Sequence, residues 1–554
     1  MRIHSHSICT AVLRLVGKVF LSALLMAALA ATALAHAGSV YVPVDHWAYP
    51  AAERLAALTS TQEEVRGMRP WTRMQFARFL ERARELPHDS EAEKLQNTLE
   101  KEFSAELNSA PDKAALESAY TRSMQIAGEP LRDSYHFGQT VADDFGRPYG
   151  QGFNTIEGTS GYVQERAGML YLRAEYQHGA SLDAPPQSAI DSMNGVDEMD
   201  PGQSLHQGGP AVDSPRLLDS YVGASFTRWT ATLGKQSLWW GPDTGGAFLY
   251  TNNIEPIWMG RLTNDKPYKI PVLGNIRFDF YYGKLQGHGT NNAPLSQPWT
   301  HGEKITLQPF KSLAIGFSRT DVFLGVGRGF TFGRLWKSYV SVGDNQNADA
   351  AQNDPGDRRG GLDVTYKLPK IPATFYVDSY CDDDPNPLAQ PKRSAWRPGL
   401  YFARLPGPLA KLDLRMEGGF TASEDSTISN GFNYWNGIYK FGYTNKGLLI
   451  GDTMGRAGVT WQAWSTYWLS PRNKFQVSYR NQYVSPQFVA GGMTQNDIRG
   501  TSNFVVKHNF EVVLGVQSER VVLPLVTGSS SPKYNVSGWA GVTYWPDHWG
   551  RIQQ

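Results

Sequence analysis

The sequence predicts an all-β transmembrane β-barrel of the outer-membrane type, with about 16 to 18 antiparallel strands and a small N-terminal α-helical domain. Three observations lead there. An export signal opens the chain, yet no later stretch reaches the roughly 18 apolar residues of a membrane helix. The hydrophobic period switches from helical spacing to strict alternation. Beyond that switch, short turns alternate with long polar connections.

Arg2, Arg14 and Lys18 precede an apolar run from Val19 to Leu34. Ala33–Leu34–Ala35 and Ala35–His36–Ala37 both fit an A-x-A cleavage site. Residues 1–37 therefore read as a cleaved secretory signal peptide, and the mature chain as a cell outer-membrane protein. Without the signal, fifty bases face 52 acids, a net charge near −2. No basic surplus remains to support a nucleic-acid partner. Cys9 leaves with the signal and Cys381 stands alone, which excludes an intrachain disulfide and leaves a structural thiol.

Residues 38–130 read as a periplasmic helical region. Ala51, Leu55 and Leu58 recur at helical spacing. Thr72 with Gln75 and Ser90 with Glu93 fit capping boxes. Leu95, Leu99, Phe103 and Leu107 line one helical face.

Residues 131–554 read as the barrel. Leu362, Val364, Tyr366 and Leu368 alternate with Asp363, Thr365 and Lys367; Phe475, Val477, Tyr479 and Tyr483 alternate with Gln476, Ser478, Arg480 and Gln482. A further run appears continuous from Phe504 to Leu514. Tyr366, Tyr376, Tyr380, Tyr401, Tyr479, Tyr483 and Tyr544 suit aromatic girdles at strand ends. Pro369 to Pro372 makes a short turn, whereas residues 181–215, 341–359 and 421–430 are long and polar. The last residue is Gln554, with Trp545 and Trp549 nearby, a weaker barrel signature than a terminal aromatic.

One stretch asks a chemical question. In "GKQSLWWGPDTGGAFLYTNN", Trp239 and Trp240 stand beside a Gly-Pro-Asp turn. Consecutive strand residues face opposite sides. One Trp is thus expected inward and one at the membrane interface. An inward indole suits a sugar ring, and Asp243, Asn252, Asn253 and Arg261 supply polar edges for its hydroxyls. The plainer reading makes both tryptophans girdle residues and the Asn-Asn pair turn chemistry. Asp452 and Arg456 are candidates for a charge network in the lumen. Asp382–Asp383–Asp384 lacks the spacing and glycine of an EF-hand, so it reads as a solvated cluster.

The stretch "SLWWGPDTGGAFLYTNNIEPIWMGRL" resembles the Wzi family of capsule-assembly outer-membrane proteins. So do "DRRGGLDVTYKLP", "FYVDSYCDDDPNP" and "GLLIGDTMGRAG". The resemblance implies an eighteen-stranded barrel with a helical bundle at its periplasmic mouth. It also implies surface polysaccharide, capsule or exopolysaccharide, as partner, beside the outer membrane lipid. A second likeness lies in "VDHWAYPAAERLAAL" and "PWTRMQFARFLERA", through His46–Trp47–Ala48 and Thr72–Arg73. These look like one S-layer-homology unit, which implies contact with peptidoglycan; a plain plug or folding role is the leading reading of this region.

The chain lacks a G-x-S-x-G elbow, an H-E-x-x-H pair and a Walker loop. No enzyme activity, metal or cofactor is expected. A glycan-binding capsule protein is the leading expectation, a porin for small solutes the alternative, and a secreted polysaccharide-degrading enzyme the third.

Overall fold

A computed structural model describes residues 38–61, 67–109, 114–199, 208–288, 297–340, 356–382, 386–422, 431–507 and 509–546. The signal peptide, the polar runs 341–355 and 423–430, Asp383, Asp384 and the last eight residues lie outside the described residues.

Nineteen segments pair into one antiparallel sheet. One is the three-residue Tyr268–Ile270, and the other eighteen are barrel strands. The sheet closes where the first strand, Ala114–Ile126, pairs with the last, Lys533–Tyr544, and with Gly152–Glu165 on its other edge. Closure leaves no unpaired edge, as a bilayer requires. The expected boundary near residue 130 moves back to Ala114. The first strand, AALESAYTRSMQI, opens with Ala, Leu and Glu, good helix formers that masked its alternation.

Alternation sorts polar from apolar. On Asp357–Lys367, Asp363 and Thr365 are buried inward while Tyr366 faces out. Leu172, Phe317, Phe375, Trp461, Val477 and Leu514 belong to an exposed outer belt that lipid would cover. Of the expected girdle tyrosines, Tyr366, Tyr479, Tyr483 and Tyr544 lie on this outer face. Tyr376, Tyr380 and Tyr401 instead point inward and are buried. Alternation fixes two faces, and aromatics on both faces hide which one meets lipid. The run from Phe504 to Leu514 is not one strand. Val506 pairs with Phe510, so the chain reverses between them and the phase is the same on either side.

Among the described residues, the N-terminal region has four helices: α1 (Ala48–Thr59), α2 (Arg73–Arg84), α3 (Ser90–Glu102) and α4 (Ser104–Leu107). The capping box at Thr72 and Gln75 is present. The cap of α3 is Asp89 rather than Ser90, its carboxylate accepting from the amides of Glu91 and Ala92. Phe76 stacks on Phe103, 4.6 Å between centroids, in a core with Trp71, Leu80, Leu95 and Leu99.

This region seals the short-turn end of the barrel. Gly38 donates to Arg166, Arg78 to the Asp265 carbonyl at 2.8 Å and Arg54 to the Ala403 carbonyl. Asp45 makes a two-pronged ion pair with Arg173 on the inner wall, 2.9 Å on each prong. The residues behind the S-layer-homology likeness are engaged inside this joint. His46 packs edge-on to Trp545 at 5.0 Å, Arg472 lies over Trp47, Thr72 caps α2 and Arg73 pairs with Glu106.

Candidate functional site

The Trp-Trp stretch lies in neither a girdle nor an open platform. Residues 237–256 leave the strand Trp229–Gln236 at the long-loop end and fold down into the lumen. There the loop meets the helical region, which rises from the other end. Trp239 and Arg69 exchange two backbone hydrogen bonds of 3.0 Å, and the Arg69 guanidinium lies 5.0 Å from the Trp239 ring. Trp240 faces the wall instead. Its indole N–H donates to Asp279 at 3.1 Å, and its ring sits 5.3 Å from Tyr281. Both tryptophans are buried, so the expectation of one at the membrane interface is overturned. Neighbouring residues do point opposite ways, but the two sides are helical region and inner wall, not lumen and lipid.

The remaining sequence candidates hold this loop. Arg261 pairs with Asp279 at 2.7 and 2.8 Å, under the Tyr41 ring. Asp243 is buried among Asp378, Glu417 and Arg397. The amides of Thr244 and Gly245 donate to Glu417, and that of Phe248 to Asp378. Gly245 is required by crowding: a Cβ there would stand 2.3 Å from the Gln462 amide oxygen. Asn252 accepts from the Phe145 amide through its carbonyl, and Asn253 donates to the Leu449 carbonyl at 3.0 Å. Asp452 meets Arg397, whereas Arg456 meets Asp197, so these two candidates belong to separate ion-pair clusters. Asp382 is buried rather than solvated; it faces Arg359 and accepts from the Tyr434 amide.

One cavity of about 560 Å3 lies within the barrel, lined by Asp45, Arg122, Arg173 and Arg499, and further open space lies above the plug. Two crevices at the long-loop end, of about 470 and about 450 Å3, share Arg132, Lys446 and Leu448 and so form one run across the outer face. Tyr534 stands at one end and Trp258 at the other, both at the rim and more than half exposed. Arg216, Lys235 and Lys446 all contact the single carboxylate of Glu255. Arg132 has no carboxylate partner among the described residues. Burial first, then the facing Arg216, brings its guanidinium down to about 10. In the crevice of about 450 Å3 four cations face one acid and leave it locally positive, whereas the other is also lined by Glu129, Asp133, Asp183 and Glu519.

Residues 121–532 match the model of a family described as capsule assembly protein Wzi. The chain belongs to the Wzi capsule-assembly family. A Klebsiella pneumoniae relative, an uncharacterized 55.8 kDa protein of the cps region, is 26% identical over 170 residues, covering 30% of this chain and 33% of that protein. The chain thus matches about a third of that relative's length. Among solved structures, the Escherichia coli Wzi barrel superposes with a TM-score of 0.65 at 15% identity, covering 91% of this chain and 99% of that one. That protein is described as carbohydrate-binding and involved in group 1 capsule assembly. Pseudomonas aeruginosa OprD gives a TM-score of 0.41 at 9% identity, covering 78% and 94%.

The stretches that resemble the Wzi family converge on the plug. Arg359 pairs with Asp357 and Asp382 and lies 4.5 Å from the Tyr443 ring; Tyr380 stacks on Tyr434 at 4.8 Å. Sequence reasoning missed the cations of the outer run. Arg132, Arg216, Lys235 and Lys446 come from four separate segments, and a balanced net charge gives no hint that they meet.

Proposed function

We propose that this chain is a non-enzymatic outer-membrane glycan-binding protein that holds capsular or exopolysaccharide on the cell surface, and that the polymer it holds is acidic. The observation that carries the reading is the Arg132 guanidinium. It lines both outer crevices beside Arg216, with no carboxylate partner among the described residues. A carboxylate-bearing sugar supplies the missing charge-assisted, two-pronged hydrogen bond. A run of two crevices suits a polymer better than a small solute, because weak contacts repeated along a chain add. The family likeness and the described carbohydrate binding of the Escherichia coli relative support the same reading. Within it, Trp239, Trp240, Asp243, Asn252, Asn253 and Arg261 act from behind, by fixing the loop on which the outer face rests.

The porin alternative is disfavoured by the Arg69–Trp239 joint, which bridges the lumen. The test is the partition of polysaccharide between cell pellet and medium. A deletion strain releases it, wild-type chain restores it to the pellet, and R132E/K446E fails to restore it despite normal barrel assembly. An unchanged partition in the deletion strain sinks the proposal. Altered total or chain length points to synthesis or cleavage instead.

A further inference from the structure

The outer wall carries a polar notch where lipid is expected. On Trp299–Phe310 and Leu313–Phe323, His301, Glu303, Arg319 and Asp321 share the outward phase of Ile305, Leu307 and Phe317. They sit one to two pairs below the outward aromatic cluster of Tyr282, Trp299 and Phe323, whose rings lie 5.1 to 5.7 Å apart. That cluster has the character of an interface girdle. Charged groups on the lipid face below such a girdle are costly, most of all near mid-bilayer and less toward the rim.

A helix covers this notch. Phe332–Val340 lies on the outside of the wall with Ser338 fully buried against it. Arg319 donates to the carbonyls of Ser338 and Tyr339 at 2.8 and 2.7 Å, so a cation satisfies the orphan carbonyls of the helix C-terminus. His301 meets the Ser338 hydroxyl at 3.0 Å and stacks on Tyr339, 4.2 Å between centroids. The other face is the apolar one. Phe332 and Trp336, one turn apart, are 75% and 60% exposed, and Phe330 just before them is 57% exposed. Arg328, Arg334 and Lys337 accompany them, and residues 325–340 contain no acid.

We propose that Phe332–Val340 is an outer-leaflet anchor: it caps the polar notch with its inner face and seats Phe332 and Trp336 among lipid acyl chains, with its basic residues at phosphorylated headgroups. An amphipathic helix with its apolar stripe turned from the protein is unstable in water and stable at a bilayer interface. The absence of acids from the segment matches an anionic surface, to which each basic residue adds attraction within a Debye length. The anchor is independent of the glycan reading, since it lies on the lipid-facing wall and not in the outer crevices.

The experiment uses the full-length barrel in vesicles. A W336C variant carries an environment-sensitive fluorophore, Cys381 being buried; a second label at Lys392, in an exposed outer loop, is the control. Vesicles are made of phosphatidylcholine with brominated acyl chains, with or without phosphatidylglycerol. Quenching of the 336 label severalfold beyond the 392 label, increased by phosphatidylglycerol and reduced by R334E/K337E, is the expected result. Quenching indifferent to phosphatidylglycerol overturns the headgroup contact. A label reached by aqueous iodide and not by bromine overturns the anchor. So does a label shielded from both that crosslinks between barrels, which would make the helix an interface between copies. A label at position 330 with Phe332 and Trp336 intact should be quenched in the same way, and F332S/W336S should reduce that quenching; quenching unchanged in F332S/W336S overturns the anchor.

Discussion

The guanidinium of Arg69 lies 5.0 Å from the Trp239 ring, and the two backbones exchange a pair of 3.0 Å hydrogen bonds inside the barrel. Arg69 belongs to the region that seals the short-turn end, Trp239 to a loop that starts at the opposite mouth. Two plugs from opposite sides of the membrane therefore meet as one piece of sheet. The joint ties the outer loops to the helical region, so the surface proposed to face glycan is supported from below.

Removing Trp239 should loosen that joint. Trp→Ala in a buried site costs about 3–5 kcal/mol, and the cation–π part is about 1–2 kcal/mol when desolvated. W239A is expected to raise ion current across a planar bilayer from near zero to frequent openings. R69A, which leaves the indole in place, should do so less. The double variant should show less than the sum of the two melting losses. Strictly additive losses would mean that the two plugs do not couple.

Gly245 is a second test of the folded loop. Its absent Cβ leaves room for the Gln462 amide and the Arg397 guanidinium, 2.3 and 2.5 Å from where that carbon would sit. G245V should displace the loop from the inner wall and break the amide contacts to Glu417. Melting should fall by several degrees and protease should cut within residues 237–256. Unchanged melting and protection would argue that this loop does not pack in the lumen.

Much of this architecture was legible in the sequence, for physical reasons that also mark the limit. Periodicity found the strands because a barrel wall imposes one polar and one apolar face at every position, as with Asp363 and Tyr366. The helical start was readable because Thr72 and Gln75 cap locally. What failed was anything decided by distant partners. Trp239 and Trp240 looked like sugar platforms or girdle residues because nothing local shows that Arg69 and Asp279 enclose them. Arg132 drew no notice because its isolation from carboxylates is a fact of three-dimensional surroundings.

The outer run gives a salt signature. Binding of an acidic oligosaccharide should weaken as salt rises, because exposed cations are screened beyond about 10 Å at 0.1 M. R132A should lower affinity roughly 10- to 100-fold, the worth of one charge-assisted pair of about 1.5–3 kcal/mol, and should flatten the salt dependence. Titration calorimetry at two ionic strengths measures both. A neutral oligosaccharide bound equally well by wild type and R132A would refute the acidic-polymer assignment.

His136 makes the outer loops pH-dependent in a stated direction. Its two ring nitrogens meet Asp133 at 2.8 Å and Asp197 at 2.9 Å, and Asp197 also holds Arg456. Burial pulls the imidazole down, but the two carboxylates outweigh it and lift it to about 9. A histidine lifted above its ordinary value near 6.5 stabilises the fold in its charged form. The contribution is complete below about pH 6.5, fades as pH climbs and is gone above about 9. By linkage it is worth on the order of 3 kcal/mol. Asp133 and Asp197 are joined through this ring, so its loss frees the segment after the first strand from the helix Gln187–Val196 that leads to Asp197. Protease protection of residues 131–199 should fall between pH 7 and 9.5 in wild type and be low and flat in H136Q. A protection that rises with pH in wild type would show that the ring is neutral in the folded barrel and that other groups hold the two loops together.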